Sequence, residues 1–293
     1  MKLGLGTVQF GIPYGATNST GQVDPAEAQA IVRLALDHAV DLFDTAPAYG
    51  TAEEVIGRAL PTSAKVVTKT SIARRDHYRV EDADAIRLSF SQSLRRLQRQ
   101  QIYGLLVHSP EDLLRPGGNL IVDLLEELRA VGSVQKIGVS VYSQAQVEYC
   151  MRHYSLDLYQ VPVNFLDQRL LRSGTLQALA DSGAEIHARG LFLQGILLAP
   201  VESLPPYFDP WRERLLQVRH ALDTTGIAPA AAALAFVRSR TPVSRAIVGV
   251  TSKSELQTLI QQRSEDADAL PFEEFAIDDA ALLDPSRWPA LKA

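Results

Sequence analysis

The chain has 293 residues, of which 46% are hydrophobic, with a formal net charge of −5 and a single cysteine, Cys150. That size and apolar content can bury a sizeable core, and one cysteine excludes an internal disulfide, which suits a reducing compartment. Mild acidity with singly scattered basic residues gives no electrostatic footprint for nucleic acid or for an anionic membrane surface.

The opening Met1-Lys2-Leu3-Gly4-Leu5-Gly6 carries glycines where a signal peptide would carry its apolar run, and no stretch approaches about 18 apolar residues. The expected location is therefore the cytoplasm. The first β-rich run is Leu3 to Gly6. Asp24-Pro25-Ala26-Glu27 then reads as a capping box with proline at the first helical position, and Ala28, Ile31, Val32, Ala35, Leu36 and Ala39 follow at helical spacing. Runs at Asp41 to Thr45 and Lys65 to Thr70 predict the second and third strands. Ile86, Phe90, Leu94 and Leu97 form the next helical stripe, with Arg87, Arg95, Arg96 and Arg99 expected on a solvated face. Tyr103 to His108, Lys136 to Val141, Leu158 to Val163, Glu185 to Gly190 and Ala246 to Val250 complete a set of eight strands. The longest irregular stretch, about Gly190 to Asp209, follows the seventh strand and exceeds usual loop lengths, which favours a functional role.

Several of these runs are almost continuously apolar, as expected for parallel strands covered by helices. A strand followed by a helix, eight times over with right-handed crossovers, closes into a (β/α)8 barrel. The prediction is one domain over residues 1–293. A doubly wound sheet would carry a glycine-rich turn after its first strand, and Gly4-x-Gly6-x-x-Gln9 lacks the last glycine and precedes a long loop.

Barrel chemistry sits at the C-terminal ends of the strands. Asp44 ends the second strand, Lys69 the third and His108 the fourth, and Tyr49 follows five residues after Asp44. Charged groups there are costly to bury alone, so an Asp, a Lys and a His need one another or a ligand. Lys65 starts the strand that Lys69 ends, so it belongs to the opposite, stabilising face. Read singly, each residue has a structural explanation: a packed aromatic, a satisfied histidine, an ion pair. The remaining histidines share no metal-like spacing, and no metal is expected.

The run Asp44-Thr45-Ala46-Pro47-Ala48-Tyr49-Gly50, followed by Glu53-Glu54-Val55-Ile56-Gly57-x-Ala59-Leu60, resembles the aldo-keto reductase signature. Val66-Val67-Thr68-Lys69, Leu105-Leu106-Val107-His108-Ser109 and Lys136-Ile137-Gly138-Val139-Ser140 match family positions in the same order. The resemblance implies a catalytic tetrad of Asp44, Tyr49, Lys69 and His108 in a nicotinamide-dependent carbonyl reductase. Tyr49 would give a proton to the alkoxide formed by hydride transfer, its pKa pulled down by Lys69, which Asp44 would fix. A neutral His108 would orient the carbonyl.

The resemblance also assigns the nicotinamide carboxamide to Ser140 and Gln160. Val141 stands where many relatives have asparagine, and Arg189 where many stack an aromatic on the nicotinamide. Thr7 and Val8 join the expected cofactor contacts, and backbone around Leu191 to Gln194 would hold the pyrophosphate. Gly249-Val250-Thr251-Ser252-Lys253-Ser254-Glu255, at a helix N-terminus in the last βα loop, forms an anion site or a plain cap. Family habit points to NADP(H). Glu255, where relatives often carry a basic residue, favours the ribose diol of NAD(H), and Lys253 pulls back toward phosphate.

Phe10, Tyr14 and Trp211 are expected to line the substrate pocket, with Tyr207, Phe208, the Pro110 to Gly117 loop, Trp288 and the tail around it. The expected partner is a small-molecule carbonyl substrate, with sugar-derived carbonyls among the candidates and no nucleic acid or membrane, on a monomer or small homo-oligomer. Two other readings stay open: a nicotinamide-binding regulatory module, and a phosphosugar aldolase or isomerase with Lys69 as a Schiff-base amine.

Overall fold

The structure is a computed structural model that describes residues 1–262 and 270–289. Eight parallel strands close into a barrel in chain order: β1 Lys2–Gly6, β2 Leu42–Asp44, β3 Lys65–Lys69, β4 Ile102–Val107, β5 Val134–Ser140, β6 Leu158–Pro162, β7 Glu185–Arg189 and β8 Arg245–Gly249. Each lies within two residues of its predicted span. Closure runs through β1 and β8, registered from Lys2 opposite Arg245 to Gly6 opposite Gly249. The sheet is buried on both faces, which is why its strands read as apolar runs rather than alternations.

Side-chain direction alternates along each strand, so the barrel interior fills in layers. The middle layer is Leu42, Val67, Leu106, Leu158 and Ile247, packed together with Tyr103 against them. Outward residues such as Phe43, Val66, Leu105, Ile137 and Val161 meet the surrounding helices in a second, larger core. Among the described residues, no single helix is long and apolar enough to cross a membrane.

Three local expectations need correction. Asp24 does cap the helix Pro25–Asp37, accepting the Ala26 amide at 2.8 Å. Glu27 does not complete a capping box, because its Oε1 reaches instead to the Lys253 amide, 2.5 Å away, at the start of the helix Lys253–Gln261. Arg96 is not on a solvated face. It turns to the fully buried Glu53, whose Oε2 accepts from Nε at 2.7 Å while Oε1 accepts the Thr68 hydroxyl at 2.7 Å. That bond ties the helix Ala52–Ala59 to β3, since a buried carboxylate needs compensating donors. The aromatics of the long insertion pack on one another rather than around a pocket: Phe208 is buried with its ring edge-on to Tyr207 and Trp288 at 5.2 and 5.0 Å, and Trp211 lies against Tyr207 at 5.7 Å. The tail beyond Trp288, expected beside them, includes residues 290–293, which lie outside the described residues.

The N-terminal face of the barrel is closed by charge. Glu185 accepts from the Tyr103 hydroxyl at 2.5 Å, the Lys136 ammonium at 2.5 Å and His187 Nε2 at 2.7 Å, and Asp41 receives Arg245 at 2.6 Å with Lys65 at 3.8 Å. Lys65 thus sits on the stabilising face, as its position at the start of β3 requires. Burial works against the Glu185 carboxylate, but the bonds from His187, Lys136 and Tyr103 outweigh it and hold its pKa well below the ordinary range. A folded pKa below the unfolded one stabilises above about pH 4.3 and is lost as pH falls toward the folded value. Glu185→Gln should therefore destabilise by about 1 to 3 kcal/mol at neutral pH and flatten the acid limb of stability. Urea unfolding at pH 7 and below pH 4 reads both, and an unchanged acid limb would refute the account.

Candidate active site

The period-two alternation that builds the middle layer also builds the site. Two residues beyond Leu42, Val67, Leu106 and Leu158 stand Asp44, Lys69, His108 and Gln160, so the same inward face that carries the core delivers its polar top layer. Lys69 is 2% exposed, and its Nζ donates to Asp44 Oδ1 at 2.8 Å and to the Thr45 carbonyl at 2.9 Å. The other carboxylate oxygen, Asp44 Oδ2, accepts from Gln160 Nε2 at 2.8 Å. The buried pair is therefore a three-residue network spanning β2, β3 and β6.

Tyr49 lies outside the strands, and its placement depends on backbone fit. The Tyr49 amide donates to the Ala46 carbonyl at 3.0 Å, and its carbonyl accepts the Ala52 amide at 3.0 Å. Gly50 adopts φ +55°, and a Cβ on Gly11 would stand 1.7 Å from the Tyr49 carbonyl oxygen, so two glycines let the β1 and β2 loops meet backbone to backbone. This brings the Tyr49 ring to 4.9 Å from Lys69 Nζ and sets it edge-on to His108, centroids 5.9 Å apart. The four expected side chains are brought together.

Their electrostatics differ from expectation at one point. Lys69 does not acidify Tyr49: desolvation foremost, with the Asp44 carboxylate next, holds the phenol above its usual pKa against the opposing pull of Arg189. The reason is burial of the hydroxyl, which disfavours the charged form, and the neighbouring Asp44 carboxylate adds to it. His108 is pushed down to about 3, by burial first and then by the positive charges of Lys69 and Arg189, so its imidazole is neutral through the physiological range. Its Nδ1 is buried and meets no hydrogen-bonding partner among the described residues.

A cavity of about 970 Å³ opens above these groups, with Asp44 and Tyr49 in its wall. Of the expected cofactor contacts, Thr7, Val8, Gln160, Arg189 and Leu191 line it. So do Gln194, Gly249, Val250, Thr251 and Glu255, and of the expected substrate contacts, Tyr14. Phe10 does not, because it is buried in the outer core, and Trp211 is held away by the aromatic cluster and by its indole bond to Asp279 at 3.0 Å. The Pro110 to Gly117 loop is likewise absent from the wall. Ser140 is buried behind the surface, within 3.4 Å of Gln160 Oε1, and Ser252 and Lys253 also lie off the wall, with Ser252 capping its helix through the Glu255 amide. Arg189 takes a place of its own: its guanidinium stacks 4.0 Å over the Tyr142 ring and donates to the Val141 carbonyl at 2.9 Å and to Ser140 Oγ at 3.3 Å.

Sequence reasoning missed Tyr142, Gln9 and Glu27. Gln9 lines the cavity with a buried, unpartnered Oε1 among the described residues, against Gly249, where a Cβ would crowd its amide. Its proximity to an incomplete glycine motif was the only signal. The β7 loop bends through three successive left-handed residues, Leu193, Gln194 and Gly195 at φ 45°, 53° and 95°, and Gln194 Nε2 reaches the Tyr14 hydroxyl at 3.1 Å. Such strain concentrates where backbone faces a ligand. A cavity of about 970 Å³ with the unpartnered Gln9 Oε1, the Arg189 guanidinium and the β7-loop backbone in its wall has room and polar contacts for a dinucleotide. Gln160, Arg189, Thr251 and the Leu191 to Gln194 backbone could hold it.

The model of the Aldo/keto reductase family matches residues 2–279. The chain belongs to the aldo/keto reductase family. This aldo/keto reductase is 29% identical over 206 residues to aldo-keto reductase YhdN of Bacillus subtilis (strain 168), an alignment covering 67% of this chain but 60% of that relative. Its alignment with D-threo-aldose 1-dehydrogenase of Pseudomonas sp is 26% identical over 286 residues, covering 83% of this chain and 86% of the relative. Among solved structures, the holo form of aldo-keto reductase AKR11C1 from Bacillus halodurans shares the fold with a TM-score of 0.74 at 19% identity, over 98% of this chain and 95% of that one. Glycerol dehydrogenase AKR11B4 from Gluconobacter oxydans shares it with a TM-score of 0.69 at 23% identity, over 98% and 93%.

Gln160→Leu removes a donor from a buried carboxylate without removing the carboxylate. It should destabilise this aldo/keto reductase by about 1 to 3 kcal/mol, read as a lower urea midpoint. An unchanged midpoint would show that Asp44 does not depend on Gln160.

Proposed function

We propose that the chain is an NAD(P)H-dependent carbonyl reductase that converts an aldehyde or ketone to an alcohol, with Tyr49 as its proton donor. The observation that carries this reading is the buried Lys69–Asp44 pair beneath the Tyr49 ring, with a neutral His108 edge-on to the same ring, beside a cavity of dinucleotide size. A nicotinamide cofactor in that cavity would supply the hydride.

The protein's own groups then have distinct tasks. Tyr49, protonated at neutral pH because its pKa is raised, carries the proton that the new alkoxide needs. Acidification is unnecessary in that direction, since an alkoxide is a stronger base than a phenolate and the transfer runs downhill. Lys69, fixed by Asp44 and Thr45, holds a positive charge under the ring as phenolate character develops. Neutral His108 donates a hydrogen bond that orients the carbonyl oxygen. Gln160 and Arg189, both in the cavity wall, would hold the carboxamide and meet the nicotinamide ring. A Schiff base on Lys69 loses support, because its amine is 2% exposed and already donates to Asp44 and Thr45.

A sugar-derived or polyol carbonyl is the substrate class we propose, supported by the alignment with D-threo-aldose 1-dehydrogenase and by the polar wall of Gln9, Tyr14 and Arg189. The same reading places the protein in the cytoplasm as a monomer or small homo-oligomer without nucleic-acid or membrane partners, in keeping with its single cysteine and diffuse charge.

Tyr49→Phe should lower kcat with a reactive aldehyde by about 10² to 10⁴ while cofactor affinity by fluorescence titration stays near wild type; near-normal turnover would exclude Tyr49 as the acid. The pH dependence should be asymmetric. With His108 neutral down to about 3 and Tyr49 protonated through neutrality, kcat for reduction should be flat from about pH 5 to about pH 8, whereas alcohol oxidation, which needs the phenolate as base, should rise with pH. A reduction rate that titrates near pH 6.5 would show that His108 changes charge during catalysis.

A further inference from the structure

The helix Lys253–Gln261 begins at one end of the cavity whose wall also holds Tyr49, since Thr251 and Glu255 line the same space. In barrels of this kind, the last βα loop and the helix that follows it commonly grip a phosphate through free backbone amides. Here two of those amides are already taken by carboxylates. Thr251 donates its N–H to Glu255 Oε2 at 2.7 Å and its hydroxyl to Glu255 Oε1 at 3.0 Å, while the Lys253 N–H goes to Glu27 Oε1 at 2.5 Å. Glu27 comes from the helix Pro25–Asp37, which packs directly against the Lys253 helix. The donors that would receive a phosphomonoester therefore face carboxylates supplied from two different elements, Glu255 in the cavity wall and Glu27 at the Lys253 amide off that wall.

We propose that Glu27 and Glu255 make this end of the cavity read a ribose diol and exclude a ribose phosphate, so that the chain binds NAD(H) in preference to NADP(H). This rests on the carbonyl-reductase reading above and departs from the NADP(H) that family habit suggests. A cis-diol brings two O–H donors, which carboxylates accept. A 2′-phosphate brings close to two negative charges and only acceptors, so it would have to displace both carboxylates from their amides and then bear their repulsion. Glu27 is the distinctive element, because it blocks the Lys253 amide even if Glu255 swings aside.

The test is equilibrium titration of the purified chain with NADH and with NADPH, followed by nicotinamide fluorescence in the absence of any carbonyl substrate. NADH should bind about tenfold tighter or more. In the double variant Glu27→Gln with Glu255→Gln, checked for folding by thermal melting, NADPH affinity should rise about tenfold while NADH affinity does not rise with it, so that the preference for NADH falls about tenfold or more. NADPH binding as tightly as NADH in the wild type overturns the proposal without touching the reductase reading, as does a well-folded double variant that keeps the wild-type ratio. Failure of both nucleotides to bind the wild type overturns the reductase reading, and this inference with it.

Discussion

The arrangement at the barrel's mouth depends on one buried ion pair. Lys69 and Asp44 sit 2.8 Å apart in the layer above an apolar core, where removing either partner would strand a charge and cost about 3 to 5 kcal/mol. The second carboxylate oxygen accepts from Gln160, and a further proton of the ammonium goes to the Thr45 carbonyl. A pair so fully satisfied has little freedom, and the phenol ring above it is held against a fixed charge distribution rather than a mobile one.

Burial explains why the phenol stays protonated: it disfavours the phenolate, and the Asp44 carboxylate nearby acts in the same direction. On the proposed reading, the site is biased toward giving a proton rather than taking one, which matches carbonyl reduction better than alcohol oxidation at neutral pH. Arg189 tempers the bias from the side. Stacked on Tyr142 and bonded to Val141 and Ser140, it adds positive charge to a wall where many relatives present an aromatic face.

The two ends of the barrel use charge for opposite purposes. The N-terminal face, with Glu185 at its centre receiving Tyr103, Lys136 and His187 Nε2, plugs the cylinder, with His187 Nδ1 buried and without a partner among the described residues. The C-terminal face leaves His108 Nδ1 and Gln9 Oε1 without partners among the described residues. Gln9 Oε1 lies in the cavity wall, where a ligand that meets it would recover the energy of an unpaired buried acceptor.

The sequence by itself determined the strand count, the barrel and the top-layer residues, because each follows from short-range periodicity: apolar runs mark strands buried on both faces, and the polar residue at the end of each run marks where that strand leaves the core. Asp44, Lys69 and His108 were legible on that ground, and Tyr49 and Gln160 through the family resemblance. Only the tertiary structure decided what depends on side chains distant in the chain. Glu27 lies 226 residues from the amide it caps, and Phe10 and Trp211, aromatic and near loops, turned into packed clusters because burying their rings outweighs lining a wet cavity. The protonation of Tyr49 belongs to the same class, since it depends on burial and on the balance of Asp44 against Arg189 in space, and periodicity along a chain carries no information about that sum.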